Sequence, residues 1–258
     1  MADDQLLVTP RHVLCVLGSG LDLDLVASIA EDAGFEFDRE YSEPHPDPRM
    51  PRAFRSCAAE ASFTGADWEA VESHDTVAYL LSRPILPGMG PLVSELLLAL
   101  TAKLLRSGAT AVKNESSGLT HGRDRWLELA DDLAAADDLA AADDDPERES
   151  KLVPLYFAWV KRPIVDGSLH FSCGMHLLSQ PDIEVEGAEP EEAAELIDAL
   201  ALYMLTEERG QNLSDGEGFR LAEDAPRWIL GHHPCDRYDD DDFFYNPNGY
   251  WRLTPDRK

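Results

Sequence analysis

The sequence predicts an α+β fold: a largely antiparallel sheet with helices packed mainly on one face, its first half resembling a βαββαβ split unit. Three observations carry this prediction. Short apolar runs alternate with amphipathic stretches in the order strand, helix, one or two strands, helix, strand, helix, hairpin, helix, strands. The Asp-Gly pair of "VDGS" (165–168) lies between two apolar-aromatic runs and is the strongest short hairpin signal in the chain. The amphipathic stretches are closed by glycines, Gly34, Gly108 and Gly210, suited to the left-handed residue that ends a helix.

Each element has its own reason. "HVLCVLG" (12–18) is an apolar run closed by glycine, the pattern of a buried strand. "LDLDLVASIAEDAG" has Leu21, Leu25 and Ile29 at helical spacing, and "FEFDREY" alternates as a strand does. The four prolines of "SEPHPDPRMPR" (42–52) predict an exposed loop. "TVAYLLSRPILP" (76–87) reads as a central strand ended by proline. Val93, Leu96, Leu97, Leu100 and Leu104 form one helical stripe, with Pro91 near its start and Lys103 and Arg106 in its last turn. "ATAVKNE" reads as a strand. A helix then opens near "THGRDRWLELADDL", with Thr120 as its expected N-cap. "LVPLYFAWVKRPIVDGSLHFSCGMHLL" reads as two long strands about the hairpin turn. "AEPEEAAELIDALALYML" is an amphipathic helix with Pro190 and acids in its first turn. "GFRLAED", "RWILGHH" and "FFYNPNGYWRLTP" read as short strands, the last a hairpin about "NPNG".

The tandem hexapeptide "DDLAAADDLAAADDD" (131–145) sets the domain question. A six-residue step turns a helix by about 600°, so Leu133 and Leu139 point about 120° apart and one buried seam is not maintained. A solvated helix end or a spacer is expected, without the glycine and glutamate of a calcium-binding loop. The chain is thus a single α+β domain over 1–258, or two lobes, 1–130 and 151–258, joined by the segment 131–150. The apolar hairpin strands need cover on both faces, which favours one continuous body.

With 50 acidic against 22 basic residues, the chain carries a net charge of −28. That surface disfavours nucleic acid and anionic lipid, whose recognition needs clustered Lys and Arg, and favours a basic protein partner or solubility at high salt. The longest apolar run, "PLVSELLLALTAKLL", is interrupted by Glu95 and Lys103 and is too short for a bilayer. "MADDQLLVTP" has no basic n-region, and the four cysteines form no framework, so a cytoplasmic protein with reduced thiols is expected.

The stretches that bear on chemistry are few. "HFSCGMH" offers His170, Cys173 and His176 at zinc-like spacing, but on one strand the two histidines lie about 20 Å apart, with the thiol on the opposite face. A composite zinc site would need His176 together with His232, His233 and Cys235 of "GHHPCD". "NESSGLTHG" (114–122) gathers Glu115, Ser117 and His121 in one loop, the candidate catalytic group, although no nucleophile elbow is present. "LGSGLD" (17–22) lacks both the further glycine of a dinucleotide site and the lysine of a phosphate loop. No cofactor is predicted beyond that zinc.

From "LYFAWVKRPIVDGS" to "LSDGEGF" the chain resembles an uncharacterised bacterial family, domain of unknown function number four-two-six-one. The matching positions are Gly174-Met175, then Pro181-Asp182-Ile183-Glu184-Val185, then Leu213-Ser214-Asp215-Gly216. The resemblance implies a shared fold and brings no activity, cofactor or catalytic residue. The function expected is a non-catalytic protein-binding module, adaptor or immunity-like. The alternatives are a metal-dependent hydrolase using His121, His176 or the His232–Cys235 cluster, and a small-molecule sensor domain.

Overall fold

The structure, a computed structural model, describes residues 9–140 and 151–256. Its first half runs β1 (Val13–Gly18), α1 (Leu23–Asp32), β2 (Glu36–Glu43), α2 (Met50–Cys57), α3 (Gly65–Glu72), β3 (Thr76–Leu81), α4 (Gly90–Arg106), β4 (Ala109–Asn114) and β5 (Leu119–Thr120). The strands form one sheet in the order β2-β3-β1-β4-β5, every pairing antiparallel. The first four take the order of a split βαββαβ unit, as expected.

Alternation along β1 explains how this sheet is covered. Leu14 and Val16 join Ala78, Leu80 and Val112 in the cluster that also holds Val26 and Ile29 of α1 and Leu97, Leu100 and Leu104 of α4. Cys15 and Leu17 face the other way, into a second cluster with Met50 and Phe54 of α2 and Val71 of α3. Most helices thus share one face, as expected, and α2 and α3 cover the other. The proline stretch is a loop only as far as Arg49, because Pro51 stands in the first turn of α2, where its missing N–H costs nothing. On α4 the buried face runs through Ser94, Leu97, Leu98, Leu104 and Leu105, and Leu96 is exposed rather than part of the stripe.

The second half runs α5 (Arg123–Ala140), α6 (Leu152–Trp159), β6 (Lys161–Asp166), β7 (Leu169–Cys173), a 3-10 turn (Met175–Leu178), β8 (Asp182–Glu186), α7 (Pro190–Thr206), β9 (Gly218–Phe219), β10 (Trp228–His233) and β11 (Tyr250–Pro255). A second sheet has the order β6-β7-β8-β11-β10-β9, with β11 parallel to β8. Ile183 and Val185 of β8, Leu230 of β10 and Leu253 of β11 share one apolar cluster with Leu14 and Val16 of the first sheet. The helices between the sheets make that cluster continuous. Leu133 and Ala136 of the first hexapeptide copy are buried on α5, so the repeat's start belongs to the core. The rest of the repeat, from 141 on, lies outside the described residues.

Several local expectations need correction. Thr120 does not cap α5: its hydroxyl donates to the Val112 carbonyl within the sheet (2.6 Å), and the Arg123 amide donates to Asp67 Oδ1 of α3 (2.8 Å). "LVPLYFAW" is helix, because a run buried on every side has no period to separate helix from strand. The "VDGS" hairpin is present as β6–β7, Asp166 opposite Leu169. The "NPNG" turn stands directly before β11, which pairs with β10 (His233 opposite Tyr250) rather than with the Phe243–Phe244 segment.

β7 stops at Cys173 because Gly174 turns the chain with φ 123°, which throws His176 into the 3-10 turn. A Cβ on Gly174 would stand 2.5 Å from the Trp159 carbonyl oxygen and 3.0 Å from Ser117 Cβ, whereas one on Gly167, in the hairpin turn, would meet nothing. Gly174→Ala is expected to lower the unfolding free energy by about 3 kcal/mol or more and Gly167→Ala by about 1 kcal/mol. Equal losses in urea titration would contradict this close-packed account of the turn.

Candidate functional site

The loop after β4 is committed to structure through its backbone and two of its side chains. Ser116 donates its hydroxyl to the Arg11 carbonyl (2.6 Å) and accepts from the Val13 amide (3.0 Å), while its own amide donates to Asn114 Oδ1 (2.9 Å). Asn114 reaches His12 Nδ1 (3.2 Å), whose Nε2 meets the Ser94 hydroxyl (2.8 Å). This buried network ties β1, β4 and α4 together. His12 is its centre, and sequence reading saw it only as the first residue of an apolar run. Glu115 pairs instead with the buried Lys113 (2.8 Å). Ser117 is buried beside Gly174 with its hydroxyl unpartnered. Neither the serine nor the glutamate makes a hydrogen bond to His121.

The zinc candidates are dispersed. His170 is buried on β7, and His176 is buried in the 3-10 turn with neither ring nitrogen hydrogen-bonded. His232 and His233, adjacent on β10, point to opposite faces: His232 lies edge-on to Trp251 with Nε2 3.0 Å from the Asn248 carbonyl oxygen, and His233 stacks on Tyr250. Cys235 lies beyond the strand beside Asp182 and Arg237. Among the described residues no group of three or more His, Cys, Asp or Glu side chains is arranged to hold a metal ion. The one-strand geometry expected for "HFSCGMH" is replaced by a strand and a turn, and the three groups still do not converge.

His121 occupies the most distinctive place. It lines a cavity of about 560 Å³ with Ala59, Ala61, Ser62, Asp124, Arg125, Glu128, Phe157 and Arg162. The ring lies edge-on to Trp126 (centroids 4.8 Å) and its Nε2 is buried without a hydrogen-bond partner. Burial holds its pKa down at about 4, against the pull of the Ala158 and Phe157 carbonyls near the end of α6. Arg162 lies over the Tyr156 and Phe157 rings (4.3 and 4.5 Å) and bonds Asp198 Oδ1 (2.6 Å) and the Val160 carbonyl (3.0 Å). No sequence signal joined Arg125 and Arg162 to His121, because three separate elements supply them.

The outer face of the second sheet carries two buried acids. Asp182 accepts from the Ser172 hydroxyl (2.9 Å), the Met175 amide (3.2 Å) and Asn246 Nδ2 (2.7 Å), yet burial raises its pKa to about 6. Glu184 lies between Arg252 (2.8 Å) and Arg237, whose guanidinium stacks on Phe171 at 3.8 Å. The alternation of "DIEVE" was the signal for this pair, acids to one face and Ile183 and Val185 to the other. With every polar atom of Asp182 engaged and both oxygens of Glu184 paired, this cluster is fastening.

An apolar surface borders a cleft of about 370 Å³ lined by Pro10, Leu86, Pro87, His176 and Pro247. Leu86, Met89, Leu92 and Leu96 are 63%, 41%, 47% and 49% exposed and form a ridge from the β3–α4 loop along the outer side of α4.

The buried imidazoles fix how stability responds to acid. Burial lowers the pKa of His12 to about 3 and those of His121 and His176 to about 4, so between about pH 6.5 and pH 4 the unfolded chain binds three protons that the native chain does not. Asp182 acts with the opposite sign, its raised pKa letting the native chain bind a proton first. The histidines outnumber it, so the urea midpoint is expected to fall as pH is lowered across that window. The slope from these four groups is roughly 2–3 kcal/mol per pH unit near pH 5. A midpoint that stays flat there would mean that these rings are not held neutral.

Among the described residues no helix is long and apolar enough to cross a membrane. No protein-family model, curated protein sequence or solved structure matches the chain.

Proposed function

We propose that this chain is a non-catalytic protein-binding module of adaptor or immunity type, and that its partner is a basic protein that covers the ridge on α4. The observation that carries this is that Leu86, Met89, Leu92 and Leu96, four large aliphatic side chains of the β3–α4 loop and α4, are all exposed. Full burial of a leucine or methionine contributes about 1.5–3 kcal/mol, so covering four that are half in water supplies the apolar centre of an ordinary interface. The sign of the partner follows from the charge of −28, which accelerates encounter with cationic surfaces and repels acidic ones.

The dispersion of the catalytic and zinc candidates also favours binding over hydrolysis. So does the use of Ser62, whose hydroxyl donates to the Ala59 carbonyl (2.8 Å) and accepts the Gly122 amide (3.1 Å) in place of any nucleophilic arrangement. The family resemblance is compatible with this reading. Its motif positions hold the second sheet together, Gly174 at the turn, Asp182 and Glu184 in the fastening, and Asp215 accepting the His232 amide (2.6 Å).

Cross-linking in lysate followed by mass spectrometry is expected to join a basic protein to peptides that span Leu86 to Leu96. The double variant Leu92→Asp/Leu96→Asp, altered only at exposed positions, is expected to keep its melting temperature and lose that partner by a factor of at least about 100 in affinity, roughly 3 kcal/mol. Partner capture unchanged in the double variant, or an acidic partner, would refute the proposal.

A further inference from the structure

The cavity around His121 has the composition of a ligand site, and it lies apart from the α4 ridge. Its volume of about 560 Å³ is that of a small-molecule pocket. Ala59, Ala61 and Phe157 give it an apolar wall. His121 contributes an imidazole that is 7% exposed and has one ring nitrogen without any hydrogen-bond partner.

The charges around the cavity are of both signs. Arg162 is anchored through Nε and Nη1 and held flat by two aromatic rings. Among the described residues Arg125 pairs with Glu128, three residues on (2.7 Å), a surface pair that contributes little and opens easily. Asp124 is almost wholly exposed at the rim and makes a loose contact with Arg123 at 4.0 Å. Two guanidiniums and two carboxylates thus line one cavity. A simple anion would meet the two carboxylates as well as the field of a chain charged −28, and a simple cation would meet the guanidiniums.

We propose that this cavity binds a small zwitterion of the amino-acid class. The carboxylate lies against Arg162 and Arg125, the ammonium against Glu128 and Asp124, and the side chain against Ala59, Ala61, Phe157 and the edge of the His121 ring. Opening the Arg125–Glu128 pair releases one partner for each end of the ligand, so binding exchanges an exposed ion pair for two charge-assisted contacts.

Isothermal titration of the full chain with glycine, leucine, glutamine, phenylalanine and arginine singly tests this, with acetate, inorganic phosphate and methylammonium as one-charge controls. At least one amino acid is expected to bind one-to-one with a Kd below about 1 mM, and the one-charge controls at least tenfold more weakly. Arg125→Gln and Glu128→Gln, both at the cavity's exposed side, are each expected to weaken that binding by about tenfold or more while leaving the melting temperature of the free chain unchanged. Three outcomes would overturn the proposal: no amino acid binding at about 10 mM, acetate or phosphate binding as tightly as the amino acids, or both variants binding as the parent does.

Discussion

The structure depends most on the contact between Trp126 and Trp159. Both are fully buried, their rings 5.2 Å apart. Each indole N–H is spent on a carbonyl of a different element, Trp126 on Val112 of β4 and Trp159 on Ser94 of α4, both at 3.1 Å. The pair thereby fixes α5 and α6 against the first sheet and its central helix. An aromatic side chain of this size buries about 150–250 Å², which at about 25 cal/mol per Å² places several kcal/mol on each ring before chain entropy is counted. His12 lies edge-on to Trp159 and His121 edge-on to Trp126. The neutral histidines are therefore a consequence of the tryptophan pair, which surrounds them with surface that cannot solvate a charge.

The sheet, helix and hairpin signals that were readable in the sequence are those that a single element carries by itself. The period of α1, α4 and α7, the apolar runs of β1, β3 and β4, and the Asp-Gly turn at 166–167 each correspond to an observed element. The capping box of α3, Thr64 with Asp67, is equally legible as a pattern. What sequence did not give is what depends on burial from all sides or on distant partners. "LVPLYFAW" has no polar face to reveal its turn, and Leu96 was assigned to the core because it follows its neighbours' spacing while facing outward. The same limit governs the site. Glu115 and Ser117 are adjacent to His121 in the chain, but beyond the first turns of α5 its neighbours in space come from Phe157 and Arg162 and from the turn at Ala59 to Ser62.

Charge is distributed by purpose. Among the described residues four acids are buried and each is answered: Asp182 by three hydrogen bonds, Glu184 by two arginines, Asp67 by the amides of Thr64 and Arg123, and Asp47 by Arg49. Removing either arginine beside Glu184 leaves a buried charge half compensated, so that pair specifies the register of β8 against β11 more than it adds stability. The cavity at His121 is different, since Asp124, Arg125 and Glu128 there reach solvent.

The placement of β11 has a consequence for how the chain is made. It is an interior strand of the second sheet, between β8 and β10, although it follows both in sequence. The first sheet draws all its strands from residues before 121 and can assemble while later residues are still within the ribosome. The second sheet must wait with β8 unpaired on one side until Pro255 has emerged. During that interval β8 and β10 each present an open edge, and the acids at Glu184 and Glu186 along β8 act as a charge guard against a neighbouring chain.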